Sequence, residues 1–66
     1  MRYYSIYRPI SPGTFPRYKE NAVIDIHNFD RRQRVKRINR EAWGWVEYES
    51  PIPAKDAESY ELIEGR

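Results

Sequence analysis

The 66 residues contain no cysteine, so neither a disulfide nor a thiolate ligand can hold the fold together. Histidine is almost as scarce. His27 is the single imidazole, which leaves too few ligands for a structural zinc site. No stretch approaches the roughly 18 apolar residues of a membrane span. The opening Met1-Arg2-Tyr3-Tyr4-Ser5-Ile6 lacks the apolar run of a secretory signal. The three glycines form neither a phosphate-cradling loop nor a Gly-x-Ser-x-Gly elbow. These absences point to a reducing, cytoplasmic compartment in a bacterium or a phage-infected one, to no cofactor and no metal, and away from catalysis.

A chain of this length makes one domain, residues 1–66, and buries only about 60% of its unfolded surface. Without disulfide or metal it needs an efficient core or a partner subunit. Core material is plentiful: ten residues are aromatic, and each buries roughly 150–250 Å². Charge is divided along the chain. Residues 1–40 carry ten Lys/Arg against Glu20, Asp25 and Asp30, a surplus of seven cations. Residues 41–66 carry Lys55 and Arg66 against seven acids, a surplus of five anions. The split suggests a basic binding face or charge matching between the halves, within one molecule or between two copies.

Arg2 to Arg8 reads as a first strand, with Tyr3, Ser5 and Tyr7 on one face and Tyr4 and Ile6 on the other. Pro9-Ile10-Ser11-Pro12-Gly13-Thr14-Phe15-Pro16 cannot continue it, because three prolines remove three donors and fix three φ angles. Pro12-Gly13 suits the centre of a type II turn. Ile10 and Phe15 are expected to plug into the core. Ala22 to Phe29 is the clearest strand. It places Ile24 and Ile26 on one side and Val23, Asp25, His27 and Phe29 on the other. Asp30-Arg31-Arg32-Gln33 reads as a hairpin turn, Arg34 to Ile38 as the return strand and Asn39 to Ala42 as a connector.

Trp43 to Glu49 is a third core strand, with both tryptophans on one face and Val46 and Tyr48 on the other. Pro53 suits the first turn of a helix. Ala54, Ala57 and Tyr60 then form a stripe at helical spacing, with Lys55, Asp56, Glu58 and Ser59 turned to water. Glu61-Leu62-Ile63 extends the helix or adds a strand, and Glu64-Gly65-Arg66 reads as a frayed tail. The expected fold is α+β: a small three- to four-stranded antiparallel sheet with one short C-terminal helix.

Few residues suggest chemistry. His27 lies between Asp25 and Phe29 on one strand face and reads as a half-exposed structural histidine. Glu47 and Glu49 read as solvated acids, because no nucleophile accompanies them. The sharpest signal is cationic: Arg31, Arg32, Arg34, Lys36, Arg37 and Arg40 fall within ten residues. On a two-stranded ribbon they would form a patch suited to phosphate or to an acidic partner. Cations on an exposed edge also block edge-to-edge aggregation. Trp43 and Trp45 on one face, with Tyr48 on the other, make both sheet faces aromatic. One face packs on the helix; the other is covered by the proline loop or presents a partner site. Tyr60-Glu61-Leu62-Ile63 and Pro9-Ile10-Ser11-Pro12 match short sorting and Pro-x-x-Pro patterns, but both serve better as packing and turn.

The string Ala42-Trp43-Gly44-Trp45-Val46-Glu47-Tyr48, followed by Pro51-Ile52, Ala57 and Tyr60-Glu61-Leu62, resembles small domains of conjugative and phage-derived elements in Gram-positive gut bacteria. Arg8-Pro9-Ile10-Ser11-Pro12-Gly13-Thr14-Phe15-Pro16 is similar to the same kind of protein, and together these cover about half the chain. Pro53 departs from the polar helix cap expected there. The resemblance implies an accessory protein of a mobile genetic element and brings no site residues with it. The leading reading is a non-enzymatic protein-binding module, a monomer or weak homodimer that binds no membrane. The alternative is nucleic-acid binding through the basic hairpin Arg31 to Arg40.

Overall fold

Small and large side chains alternate through Ala42-Trp43-Gly44-Trp45-Val46-Glu47-Tyr48, and this alternation decides which sheet face becomes the core. Ala42, Gly44, Val46 and Tyr48 are buried, whereas Trp43, Trp45 and Glu47 are only half-buried. In the computed structural model, which describes residues 1–65, the elements run β1 (Arg2–Ser5), β2 (Val23–Val35), β3 (Arg40–Tyr48), α1 (Ala54–Ser59) and β4 (Leu62–Gly65). The strands make one antiparallel sheet in the order β2-β3-β1-β4. This is the small α+β fold that the pattern indicates, with four strands.

The register sorts the two faces. Tyr3 lies opposite Val46 and Ser5 opposite both Gly44 and Leu62, whereas Tyr4 lies opposite Trp45 and Ile63. The core forms on the Val46 face from Tyr3, Ile10, Phe15, Val46, Tyr48, Ile52 and Leu62, with Val23, Ala57 and Tyr60 packed at its margin. Ile10 and Phe15 plug in as expected, 5% and 4% exposed. Their loop is pinned by a Ser11–Thr14 turn in which Thr14 N donates to Ser11 O and Gly13 adopts φ 91°.

Three side chains tie the irregular roof to the sheet. The Tyr48 hydroxyl donates to Pro16 O at 2.7 Å, and Ile52 N donates to the Tyr3 hydroxyl at 3.0 Å. Asn28 clamps both backbone groups of Ile10, accepting from its N at 2.7 Å and donating to its O at 2.9 Å. The Asn28 side chain crosses Gly44 to do so. A Cβ built on Gly44 would overlap the His27 carbonyl oxygen and the Asn28 side chain.

The structure corrects several local expectations. β1 stops at Ser5 rather than Arg8, where the Ser5 hydroxyl turns back to donate to Arg8 O and leaves Tyr7 56% exposed. β2 does not turn at Asp30–Gln33 but runs on to Val35. The turn is Lys36–Asn39, closed by Ile38 N to Val35 O and Asn39 N to Lys36 O, with Asn39 at φ 55°. Asparagine tolerates that left-handed conformation better than most residues, and its sequence signal was outweighed by the polar run before it. Arg34 to Ile38 is therefore no return strand, and Arg40 to Ala42 is strand rather than connector.

The proline loop lies on the Val46 face beside α1, so it does not cover the tryptophan face. On the helix stripe Ala57 and Tyr60 pack inward while Ala54 stays exposed. Asp56 turns from water to accept from the Tyr18 hydroxyl. Glu61, at φ 56°, ends the helix and starts β4, so Glu64 and Gly65 are paired strand; Arg66 lies outside the described residues.

Two outcomes follow from the roof. Gly44→Ala should destabilise by about 1–3 kcal/mol, the usual cost of forcing an extra methyl into a packed site. A denaturant melt matching the parent would exclude the tight crossing. Burial pushes the Tyr48 phenol from its ordinary 10.0 up to about 12, and burial followed by the Asp56 contact raises Tyr18 in the same direction. Both groups favour the neutral form in the folded state. Their contribution is therefore whole below pH 10; that of Tyr48 is lost as pH rises toward about 12, and that of Tyr18 declines over the same range and beyond it. Denaturant midpoints across that window should fall, and less steeply in Tyr48→Phe.

Candidate functional site

The six cations sit on one hairpin: Arg31, Arg32 and Arg34 on β2, Lys36 and Arg37 in the turn, and Arg40 at the start of β3. All six are exposed. The hairpin does not project straight outward. Gln33 pairs with Ala42 and Asn28 with Gly44, so four residues of β2, Phe29 to Arg32, oppose Trp43 alone. A bulge of this size bends its strand and tightens the local twist.

The tip position shows how far the ribbon bends. Arg40 lies seven residues from Glu47, or roughly 23 Å along a straight strand. Glu47 is in register with Arg2, and Arg2 with Gly65. Yet Ile38, just before Arg40, has a methyl carbon only 3.4 Å from where a Gly65 Cβ would lie. The hairpin therefore curls back over the Tyr4 face of the sheet and drops Ile38 beside Tyr4, which is 5% exposed. Gly65 is required there because the Tyr4 ring occupies the space of its missing side chain.

Electrostatics divide the six cations. Arg32 pairs with Glu41 at 2.8 Å, and Arg34 donates to the Asn39 side chain across the turn. Arg31, Lys36, Arg37 and Arg40 have no intramolecular partner among the described residues. The hairpin from Arg31 to Glu41 holds one acid, which Arg32 takes, so its other cations are uncompensated within the ribbon. Elsewhere the two halves do match: Arg2 pairs with Glu47 at 3.3 Å and Arg8 with Glu61 at 2.6 Å. Such exposed pairs contribute little stability, but they withdraw Glu47 from any external cation.

The tryptophans are placed differently from each other. The Arg2 guanidinium lies 3.8 Å from the centroid of the Trp45 ring, and His27 stacks on Trp45 at 5.6 Å. His27 also meets Phe29 edge-on at 5.4 Å. The Arg2 guanidinium is held above its ordinary pKa, first by the Tyr4 side chain and, against the cost of burial, by Glu47. Trp45 is thus occupied within the molecule. Trp43, opposite the bulge, is half-buried with no ring partner among the described residues.

Glu49 is exposed and lies on no common site with His27. No group of three or more His, Asp or Glu among the described residues could hold a metal ion, and no described helix is long and apolar enough to cross a membrane. An open groove of about 620 Å³ runs beside Arg17, Tyr18, Lys19 and Pro53, away from the hairpin.

The sequence reading missed Ile38 and Asn28. An isoleucine inside a cationic run signals that one point of the run meets an apolar surface. Ile38→Asp should release the hairpin tip with a stability loss of about 1 kcal/mol, because the side chain is only half-buried. Faster amide exchange at Lys36 to Arg40, with unchanged protection at Val46, would be the readout. Equal protection in both proteins would show that the tip does not depend on Ile38.

A family model described as defence against restriction A C-terminal matches residues 1–66. Comparison with curated proteins and with solved structures gives no match. The family agrees with the resemblance to small domains of mobile elements; it carries no indication of a Gram-positive gut source. With its whole length matched, the chain belongs to the defence-against-restriction A C-terminal family.

Proposed function

We propose that this domain is a non-enzymatic binding module of a mobile element, working in the bacterial cytoplasm, and that it holds nucleic acid by its phosphates through the folded-back basic hairpin. The observation that carries the reading is the exposure of all six cations on one bent ribbon, four of them without an internal partner. Guanidinium forks match phosphate oxygens in geometry, and the curl of the ribbon spreads the charges over a curved surface. The family description supplies the context: restriction acts on DNA, so defence against it operates where DNA is exposed. Blocking the cationic DNA cleft of a nuclease would call for an acidic surface, and this chain carries a net charge of +2. Contacts to phosphate carry no base information, so binding through them is expected to be independent of sequence.

A protein partner remains the second reading. Its support is Trp43, half-exposed beside the bulge, and two exposed isoleucines, Ile24 and Ile26, on β2. Trp45 adds less, because Arg2 and His27 already occupy its ring.

Counterion release separates the readings. The logarithm of duplex affinity should fall linearly with log salt, by about 0.9 per phosphate neutralised. Replacing Arg31, Lys36 and Arg37 by glutamine should flatten that slope by about two to three units. The melting curve should stay unchanged, since none of the three has an internal partner. Anisotropy titrations with unrelated duplexes provide the measurement. Affinity that ignores salt, or survives the triple substitution, would overturn the hairpin as the site. Loss of a protein partner on Trp43→Ala, with no duplex binding by the parent, would favour the second reading.

A further inference from the structure

β2 lies at the edge of the sheet, and its outer side has no strand beside it. Between its two register shifts, one at Val23/Asp25 and one at Asn28/Gln33, runs a short regular segment. There Asp25, Ile26, His27 and Asn28 pair inward with Glu47, Val46, Trp45 and Gly44. Ile24 and Ile26, with 59% and 42% of their surface exposed, are two of the three large apolar residues the fold leaves in water. The backbone N of Ile26 donates to the Asp25 side chain at 2.8 Å. That donor is therefore turned to the open edge, where a neighbour's carboxylate covers it for want of a strand. Exposed edges with apolar side chains are the usual sites of strand addition.

We propose that this edge pairs with the same edge of a second copy, antiparallel, with the two-fold axis passing through Ile26. The register follows from the side chains. With Ile26 on the axis, the two Ile26 residues exchange N–H to O bonds, and their side chains lie against each other. Asp25 of each copy then stands opposite His27 of the other, twice by symmetry. Moving the axis to Asp25 sets carboxylate against carboxylate, and moving it to His27 sets imidazole against imidazole. Carboxylates directly opposite each other repel, whereas a carboxylate can accept from a facing imidazole N–H, and apolar pairs are favourable in a sheet. The bulge of Phe29 to Arg32 limits the contact to a few residues, so the dimer is weak and concentration-dependent. It joins two four-stranded sheets into one of eight and keeps each cationic hairpin outside the contact. The pairing does not depend on nucleic-acid binding.

The absence of cysteine makes the test direct. Residues in a hydrogen-bonded antiparallel pair have Cα atoms about 5.5 Å apart, within the range a disulfide spans. Ile26→Cys should oxidise to a covalent dimer much faster than Tyr7→Cys, a control at a site 56% exposed outside the strands. The parent chain should sediment as a monomer–dimer mixture that shifts with concentration and persists at high salt. Ile26→Lys should weaken that association tenfold or more, and since its side chain is 42% exposed the substitution leaves folding intact. The proposal fails if the parent stays monomeric up to about 1 mM, a concentration that would populate even a weak complex. It also fails if the two cysteine variants cross-link at the same rate. A dimer that salt dissolves and Ile26→Lys leaves untouched would place the contact at the charged hairpin and overturn the edge pairing.

Discussion

The clamp of Asn28 on Ile10, made possible by Gly44, is the contact on which the rest of the structure rests. A six-residue helix cannot cover a four-stranded sheet, so most of the roof is chain without regular hydrogen bonding. Such chain keeps its backbone donors and acceptors satisfied only if side chains reach them. Asn28 satisfies both groups of Ile10, and Tyr48 satisfies the Pro16 carbonyl inside the core. Between these two anchors Ile10 and Phe15 are held down, and the Val46 face closes without disulfide or metal. The clamp reaches Ile10 because nothing projects from Gly44, which explains a glycine between two tryptophans in a strand.

Closing one face by the proline loop leaves the other face to be covered by something else. The Phe29–Arg32 bulge supplies the means, bending the β2–β3 ribbon until Ile38 meets Tyr4 and Gly65. Cover and charge are thereby joined in one element: the apolar tip faces the sheet and the cations face solvent. Among the described residues, Arg2–Glu47, Arg8–Glu61 and Arg32–Glu41 each link a cation of the first 40 residues to an acid of the remainder, so part of the charge split is absorbed by folding. What is not absorbed is concentrated on the hairpin.

Faces and anchors were legible in the sequence wherever local pattern and packing agree. The alternation through Trp43 to Tyr48 identified the core strand and its two sides, and proline spacing identified an ordered loop anchored by Ile10 and Phe15. Boundaries were less legible where two local signals compete. Asp30-Arg31-Arg32-Gln33 has the composition of a turn, yet the partner strand keeps it extended as a bulge, and the turn goes to Asn39, which accepts a positive φ. The end of β1 was hidden because Ser5, a plausible strand residue, spends its hydroxyl on closing a bend. The cations were plain in the sequence as a run, but the curl that sets them over the Tyr4 face depends on a contact between residues 38 and 65. No local pattern records a contact that distant.

The same bulge also separates two surfaces on one strand. On its N-terminal side β2 is regular from Asp25 to Asn28, carries a single acid and exposes Ile24 and Ile26; beyond the bulge the strand is cationic. A continuous regular strand of that length would pair along its whole edge and would bring two arginine clusters near each other's strands. Breaking it at Phe29 to Arg32 confines any edge pairing to the segment where the side chains are complementary. Beyond the break, the cations of the curled ribbon are free to meet a phosphate chain. One local irregularity thus covers the Tyr4 face, limits the edge and orients the charge.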